Sequence, residues 1–228
     1  MNITALQQAM VDRHSVRKYQ VRPIEKEKVE QLQALINECN QAGNLHIQLV
    51  LNEPKAFSTG LFSYGKFTGV TNYIAMICNK GDDTTLGYYG EKIVLTAQAM
   101  GLNTCWVALT FSKQKDQYEI LPGEKLICVI ALGYGLNQGV AHPQKKGIEH
   151  YCKTPGEMPE WFRHGMEAVL LAPTAINQQK FEFHLIDSNH VRAITRPTIL
   201  NPYPKIDLGI AKFHFELGAG SDNFTWTD

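Results

Sequence analysis

The sequence predicts an α+β fold made of two quasi-repeated halves, and three observations carry that expectation. Stretches with helical periodicity alternate with apolar runs too short to be helices. A helix, an asparagine-bearing turn and an alternating strand succeed one another around Asn44 and again around Asn177, each time followed by a loop and a further helix. Between residues 140 and 159 the composition shifts to Gly, Pro, His, Lys and Gln, which marks a linker. The expected organisation is therefore a first half at 1–139, a linker at 140–159 and a shorter second half at 160–228.

Met1 to Val11 has helical spacing, and a basic cluster breaks it from Asp12 to Tyr19. Pro23 and Glu25 open a second helix over Lys26 to Cys39, with Val29, Leu32, Leu35 and Ile36 on one face. His46 to Leu51 alternates like a strand, and Thr71 to Cys78 reads as a buried one. The loop between them, Pro54 to Gly69, carries Phe57, Phe62, Tyr64 and Phe67; it suits a cover over a ligand or an ordinary packed loop. Tyr88 to Met100 forms a helix that Gly101 is placed to end in a left-handed conformation. Thr104 to Leu109 and Lys125 to Leu132 complete the strands of the first half. In the second, a helix over Glu160 to Leu171 is stopped by Pro173. A turn at Thr174 to Gln179, a strand at Phe181 to Asp187, a proline-bearing loop and a helix at Asp207 to Leu217 follow.

Bulk properties exclude several classes of function. The 22 acidic and 22 basic side chains cancel, so nothing in the charge points to nucleic acid or an anionic membrane. No run approaches the roughly 18 apolar residues of a membrane span, and the first residues lack the pattern of a secretory signal. The five cysteines form no C-x-x-C pair, which fits reduced thiols in a cytoplasmic protein. The eight histidines show no H-E-x-x-H or similar spacing, so no metal site is expected.

Four segments carry candidate chemistry. In an extended Arg13-His14-Ser15-Val16-Arg17-Lys18, alternation puts Arg13, Ser15 and Arg17 on one side. Two guanidinium groups and a hydroxyl suit a phosphate monoester, because arginine offers paired N–H groups to paired oxygens. Taken alone, the cluster is also what a solvated basic face looks like. Ala172-Pro173-Thr174-Ala175-Ile176-Asn177-Gln178-Gln179 offers backbone and amide groups to a planar, amide-bearing ring, or is a plain helix-to-strand turn. Gly101-Leu102-Asn103-Thr104-Cys105-Trp106 leads a helix into a strand; Cys105 has no His or Asp partner in the sequence and reads as a buried thiol. Lys145 and Lys146 are a further cationic pair, either phosphate-neutralising or solvated.

Together, and in this order, these segments resemble the nitroreductase family of FMN-dependent enzymes. Its R-[RH]-S-x-[RK] opening is matched by Arg13 to Arg17, and its G-L-G-x-C-W by Gly101 to Trp106. Its A-P-S-x-x-N-x-Q-P-W resembles Ala172 to Phe181, and its a-l-G-Y-P resembles Ala131 to Gly135, before the lysine pair. The resemblance implies a nitroreductase-like fold, a central mixed or antiparallel sheet flanked by helices, and one FMN cofactor. It implies that Arg13, His14, Ser15, Arg17 and Lys145 or Lys146 hold the phosphate. Pro173, Thr174, Ala175 and Asn177 would meet the ring or ribityl chain, with backbone groups of Val107, Ala108 and Leu109 at the ring's other edge. The implied activity is hydride transfer from NAD(P)H through flavin to a nitroaromatic or quinone. No side chain needs to be a nucleophile or base. A non-catalytic flavin store or redox sensor on the same fold is the alternative.

One departure bears on assembly. The family places its Ala-Pro-Ser turn soon after the first helix, where this chain has Asn40-Gln41-Ala42-Gly43-Asn44; the good copy lies in the last third. Family members are usually homodimers with the flavin at the interface. The first half here keeps the basic segment and the second keeps the turn, so the expected molecule is an internal pseudo-dimer or a homodimer with one complete site per chain.

Overall fold

The computed structural model describes residues 2–58, 67–144, 146–198 and 202–227. Phe62, Tyr64 and Lys145 lie outside the described residues. The chain is α+β, as expected, and divides into two compact units. One comprises Asp12–Asp82 and Ile93–Ala141; the other gathers Met1–Val11, Asp83–Lys92 and His142–Asp228. The last crossing between the units is at Ala141/His142. The first helix and the start of the third belong with the C-terminal part, although they were expected in the first half.

The Asp12–Asp82/Ile93–Ala141 unit holds one antiparallel sheet, ordered β1-β2-β4-β3 from β1 (Gln48–Val50), β2 (Asn72–Asn79), β3 (Asn103–Val107) and β4 (Glu124–Gly133). Central β2 is buried on both faces for seven of its eight residues, which explains its continuous apolar composition. One sheet face packs Tyr73, Ala75, Ile77, Cys105, Val107, Val129 and Ala131 against Val16 and Tyr19 of the segment after α1 (Ile3–Asp12). Phe57 and Phe67 of the aromatic loop join this core, their ring centroids 5.1 Å apart, so these two rings are packed. Helix α2 (Lys26–Gly43) runs past the expected end at Cys39, because Asn44 takes the left-handed conformation (φ 50°) and its N–H donates to the Asn40 carbonyl.

The other unit is built on α4 (Glu160–Leu170) and α5 (Pro204–Ala219), packed on a mixed sheet. The strands are β5 (Cys152–Lys153), β6 (Phe181–Leu185), β7 (His190–Thr195) and β8 (Thr225–Trp226), in that order across the sheet. β5 and β8 pair parallel to their neighbours, while β6 and β7 pair antiparallel. β7 was expected as loop: its inward positions are only Val191 and Ala193, while Ile194 faces outward at 37% exposure, so its alternation is weak. Phe183 stacks on Phe215 of α5 at 5.1 Å, with Phe162 and Trp226 beside them. Burying each such ring contributes about 1.5–3 kcal/mol.

Helix α3 (Asp83–Ala99) starts five residues before the expected Tyr88. Its first turns lie so close to α5 that a Cβ on Gly87 would stand 2.2 Å from the Ile206 carbonyl oxygen, and one on Gly209 would stand 1.9 Å from that of Thr84. The same contact buries His214, whose Nδ1 donates to the Ala168 carbonyl at 3.0 Å and whose Nε2 meets Glu91 at 3.0 Å. Both side chains are fully buried, so the pair must be satisfied internally, and it is.

Candidate functional site

In the Asp12–Asp82/Ile93–Ala141 unit the basic segment is held extended by its own backbone. Val16 N–H donates to Thr104 O at 3.1 Å, Tyr19 N–H to Thr68 O at 2.8 Å, and Lys18 O accepts Leu136 N–H at 2.8 Å. Val16 and Tyr19 anchor it in the core, so the residues between them are fixed relative to β3. Arg13 is only 4% exposed, whereas Arg17 is exposed, so strict alternation does not describe the pair. Their charges nevertheless converge. Burial raises the Cys105 thiol's proton affinity, and Arg17, a hydrogen bond from the Ser15 hydroxyl and Arg13 lower it again. All three side chains singled out in the sequence thus act on one buried thiol.

Two structural details shape this cradle. Gly139 has φ +75°, and a Cβ there would stand 2.8 Å from His14 Cβ and 3.0 Å from the Ser15 carbonyl oxygen. Only a glycine lets the chain lie against the segment at that point. Asn103, 3% exposed, accepts the Gly135 N–H at 2.9 Å and donates to Gln138 at 2.9 Å, holding the strand exit beside the segment. The Thr104 hydroxyl, in register with Ser15, is buried without a hydrogen-bond partner among the described residues. Buried guanidinium charge, an adjacent hydroxyl and an orphaned hydroxyl fit a ligand rich in acceptor oxygens, such as a phosphate.

β3 ends at Val107, so the strand expected through Leu109 stops two residues earlier. The Val107 side chain is in the core, Ala108 is half-buried and Leu109 is 80% exposed. Any ligand contact from these residues is therefore made by backbone or by Leu109.

In the other unit, the turn after α4 is strained and tightly held. Ile176 (φ 48°), Asn177 (φ 53°) and Gln179 (φ 49°) are all left-handed, and for a β-branched isoleucine this conformation is a genuine outlier. Five side-chain bonds hold it. Asp207 Oδ1 accepts the Ala175 N–H at 3.0 Å, and Thr174 Oγ1 accepts the Gln179 N–H at 3.0 Å. The Gln179 amide receives the Tyr151 hydroxyl at 2.9 Å and donates to Leu170 O at 3.3 Å. Asn177 Nδ2 donates to Pro143 O at 3.3 Å, tying the turn to the linker. Ile176 stays 61% exposed. An exposed apolar residue is thus held in a strained conformation by buried polar groups, a feature often found at functional sites.

The structure thus brings Arg13, Ser15 and Arg17 together in one unit, and Pro173, Thr174, Ala175, Asn177 and the Pro143 segment in the other. Thr174 uses its hydroxyl within the turn. Lys146 is exposed and lies close enough to His150 to lower its proton affinity. Sequence reasoning missed Asp207, 3% exposed, and offered the Gln179 amide to a ligand, whereas that side chain is 2% exposed and bonded within the turn. The acid in the first turn of α5 could have been noticed as a helix-start signal, but no spacing linked it to a turn more than thirty residues earlier. Among the described residues no group of three metal-ligating side chains occurs, and no helix is long and apolar enough to cross a membrane.

A family model described as "Putative TM nitroreductase" matches residues 5–219. The chain belongs to this nitroreductase-like family, a class of oxidoreductases. Among solved structures it resembles a protein of Thermotoga maritima named as a nitroreductase, at 22% identity and a TM-score of 0.61, covering 96% of this chain and 83% of that one. It also resembles the Bacillus subtilis protein YcnD, named as an oxidoreductase, at 11% identity and a TM-score of 0.50, over 63% and 70%. An FMN-dependent nitroreductase of Clostridium difficile matches at 19% identity and a TM-score of 0.43, over 57% and 88%. No curated protein matches the sequence.

Proposed function

We propose that the chain is an FMN-dependent oxidoreductase that binds one FMN. The extended Arg13–Arg17 segment, bridged to β3 at Ser15 and carrying two guanidinium groups and a hydroxyl that all act on the Cys105 thiol, supports this reading, because that donor set suits a phosphate monoester. Bound FMN would supply the two-electron chemistry between NAD(P)H and an electron-poor acceptor such as a nitroaromatic or quinone. The protein's own part is binding and orientation. Arg13, His14, Ser15 and Arg17, with Lys145 or Lys146, hold the phosphate. Pro173, Ala175 and Asn177 present fixed polar groups to the ring or ribityl chain, and Thr174 and Asp207 keep that turn in shape. The backbone of Val107, Ala108 and Leu109 serves the ring's other edge. No side chain is assigned a nucleophilic or acid–base role.

The second half takes the place of a partner subunit in this reading, so the chain is a pseudo-dimer with one site. The test is the visible spectrum of the purified protein with released chromophore counted per chain. Close to one FMN per chain supports the reading; two per chain overturns the pseudo-dimer, and a colourless protein that refuses added FMN overturns the whole. Flavin-dependent NADH or NADPH oxidation with a quinone then separates an enzyme from a flavin store or redox sensor.

A further inference from the structure

The outer face of the second sheet carries a positive cluster that the proposed flavin chemistry leaves unused. Strand register sets Lys153 of β5 beside His184 of β6, and His184 opposite Arg192 of β7. Three basic side chains therefore form one row across three adjacent strands. Lys153 and Arg192 carry fixed charge on either side of a histidine that adds charge only when protonated, so the row favours something that neutralises it.

Glu182 neutralises part of the cluster. It is 7% exposed and takes Lys153 Nζ at 2.8 Å, His184 Nε2 at 2.6 Å and Arg196 Nε at 2.7 Å. Its carboxyl is held down to about 2, chiefly by the hydrogen bond from Lys153, against the opposing effect of burial. Arg196 also donates to His150 Nε2 at 3.0 Å. Lys146, Arg196 and Lys180 act together on His150, while Glu149 and Arg163 act on Cys152. Three fixed cations (Lys153, Arg192 and Arg196) thus have one buried carboxylate, Glu182, among them. The surplus is local, because the chain as a whole is neutral.

Arg192 is the member that Glu182 does not reach. Its Nε is shielded from solvent and has no hydrogen-bond partner among the described residues. A shielded guanidinium nitrogen without an acceptor, beside a row of like charges, lacks an anion with several oxygens.

We propose that the Lys153–His184–Arg192 row is a phosphate-binding site, separate from the residues assigned to FMN. The ligand is free phosphate or a phosphate monoester on a small molecule; one such monoester is the 2′-phosphate that distinguishes NADPH from NADH.

The test uses the full chain as purified, with its melting temperature read in sodium phosphate and in sodium chloride of equal ionic strength. At ten times its dissociation constant, phosphate raises the wild-type value by roughly 3–6 °C. Arg192→Gln weakens phosphate binding at least tenfold, so at the same phosphate concentration the shift falls to roughly 1–2 °C or less. Without phosphate this variant melts at or above the wild type, because it loses a like-charged neighbour. Should it melt too low for comparison, Lys153→Gln replaces it, since that side chain is 69% exposed. With FMN at saturation, so that the flavin segment is filled, Arg17→Ala keeps the phosphate response. Adenosine 2′-monophosphate stabilising more than phosphate, with adenosine inert, assigns the monoester; phosphate alone acting assigns the free anion. Equal melting of the wild type in phosphate and chloride overturns the proposal. So does an Arg192→Gln response equal to the wild type's.

Discussion

Asp207 is the side chain on which the shape of the Thr174–Gln179 turn depends most directly, and replacing it with alanine tests that dependence. The Asp207 carboxylate is 3% exposed and accepts the Ala175 N–H at 3.0 Å, so the bond is charge-assisted and shielded from water. Such a bond contributes about 1.5–3 kcal/mol. Against it stands the left-handed Ile176, whose conformation costs on the order of 1–3 kcal/mol. The two quantities are of one size, so without Asp207 the turn has little reason to keep Ile176 strained. Asp207→Ala should lower the unfolding free energy by about 1.5–3 kcal/mol. At roughly 2–4 °C per kcal/mol for a chain of this size, the melting temperature falls by about 3–12 °C. Asp207→Asn keeps an oxygen acceptor and loses the charge, so it should fall between. Flavin content is read on the same samples: relaxation of the turn lowers FMN affinity about tenfold or more in the alanine variant, with a smaller loss in the asparagine variant. A normal melting temperature and full flavin content for Asp207→Ala would refute the claim that this carboxylate shapes the turn.

Three further outcomes follow from the geometry. Arg17→Ala, at an exposed position, weakens FMN binding about ten- to a hundredfold and leaves the melting temperature of the flavin-free chain unchanged, whereas Arg13→Ala, at a buried one, lowers both; fluorescence titration of FMN alongside thermal melts of the flavin-free chain separates the two. Gly139→Ala places a methyl group 2.8 Å from His14 Cβ at φ +75°, so it should cost about 1–3 kcal/mol and reduce flavin content, which denaturant unfolding and absorbance will read. Glu182 has its folded-state value depressed to about 2 from an ordinary 4.5. Its contribution is therefore fully present above about pH 4.5 and is lost as pH falls towards 2. In Glu182→Gln that part of the acid sensitivity disappears, and a stability curve between pH 2 and 5 parallel to the wild type's would contradict the assignment.

What the sequence made legible was what local rules control. A continuous apolar run identified β2, helical periodicity found α2 and α4, and Gly101 ended α3 with φ +79°, because each depends on neighbours a few residues away. The basic segment stood out as a candidate because two arginines and a serine at alternate positions suit a phosphate, although a solvated basic face reads the same way. Its burial pattern was not legible: whether Arg13 is covered and Arg17 open depends on how the segment meets β3 and the Gly139 loop, over a hundred residues away for the latter. β7 was lost because Ile194 faces outward and only Val191 and Ala193 mark the inner face. The same limit explains the turn. Pro173 and Asn177 stood out as residue types, yet what makes the turn a candidate ligand surface is the strain at Ile176, and nothing in an isoleucine's identity announces a positive φ. That conformation is imposed from Tyr151 on one side and Asp207 on the other, through Gln179 and the Ala175 N–H. The residue types that meet a ligand can be read in the chain; the groups that hold them ready are ordinary polar residues whose role exists only once the fold has brought them together.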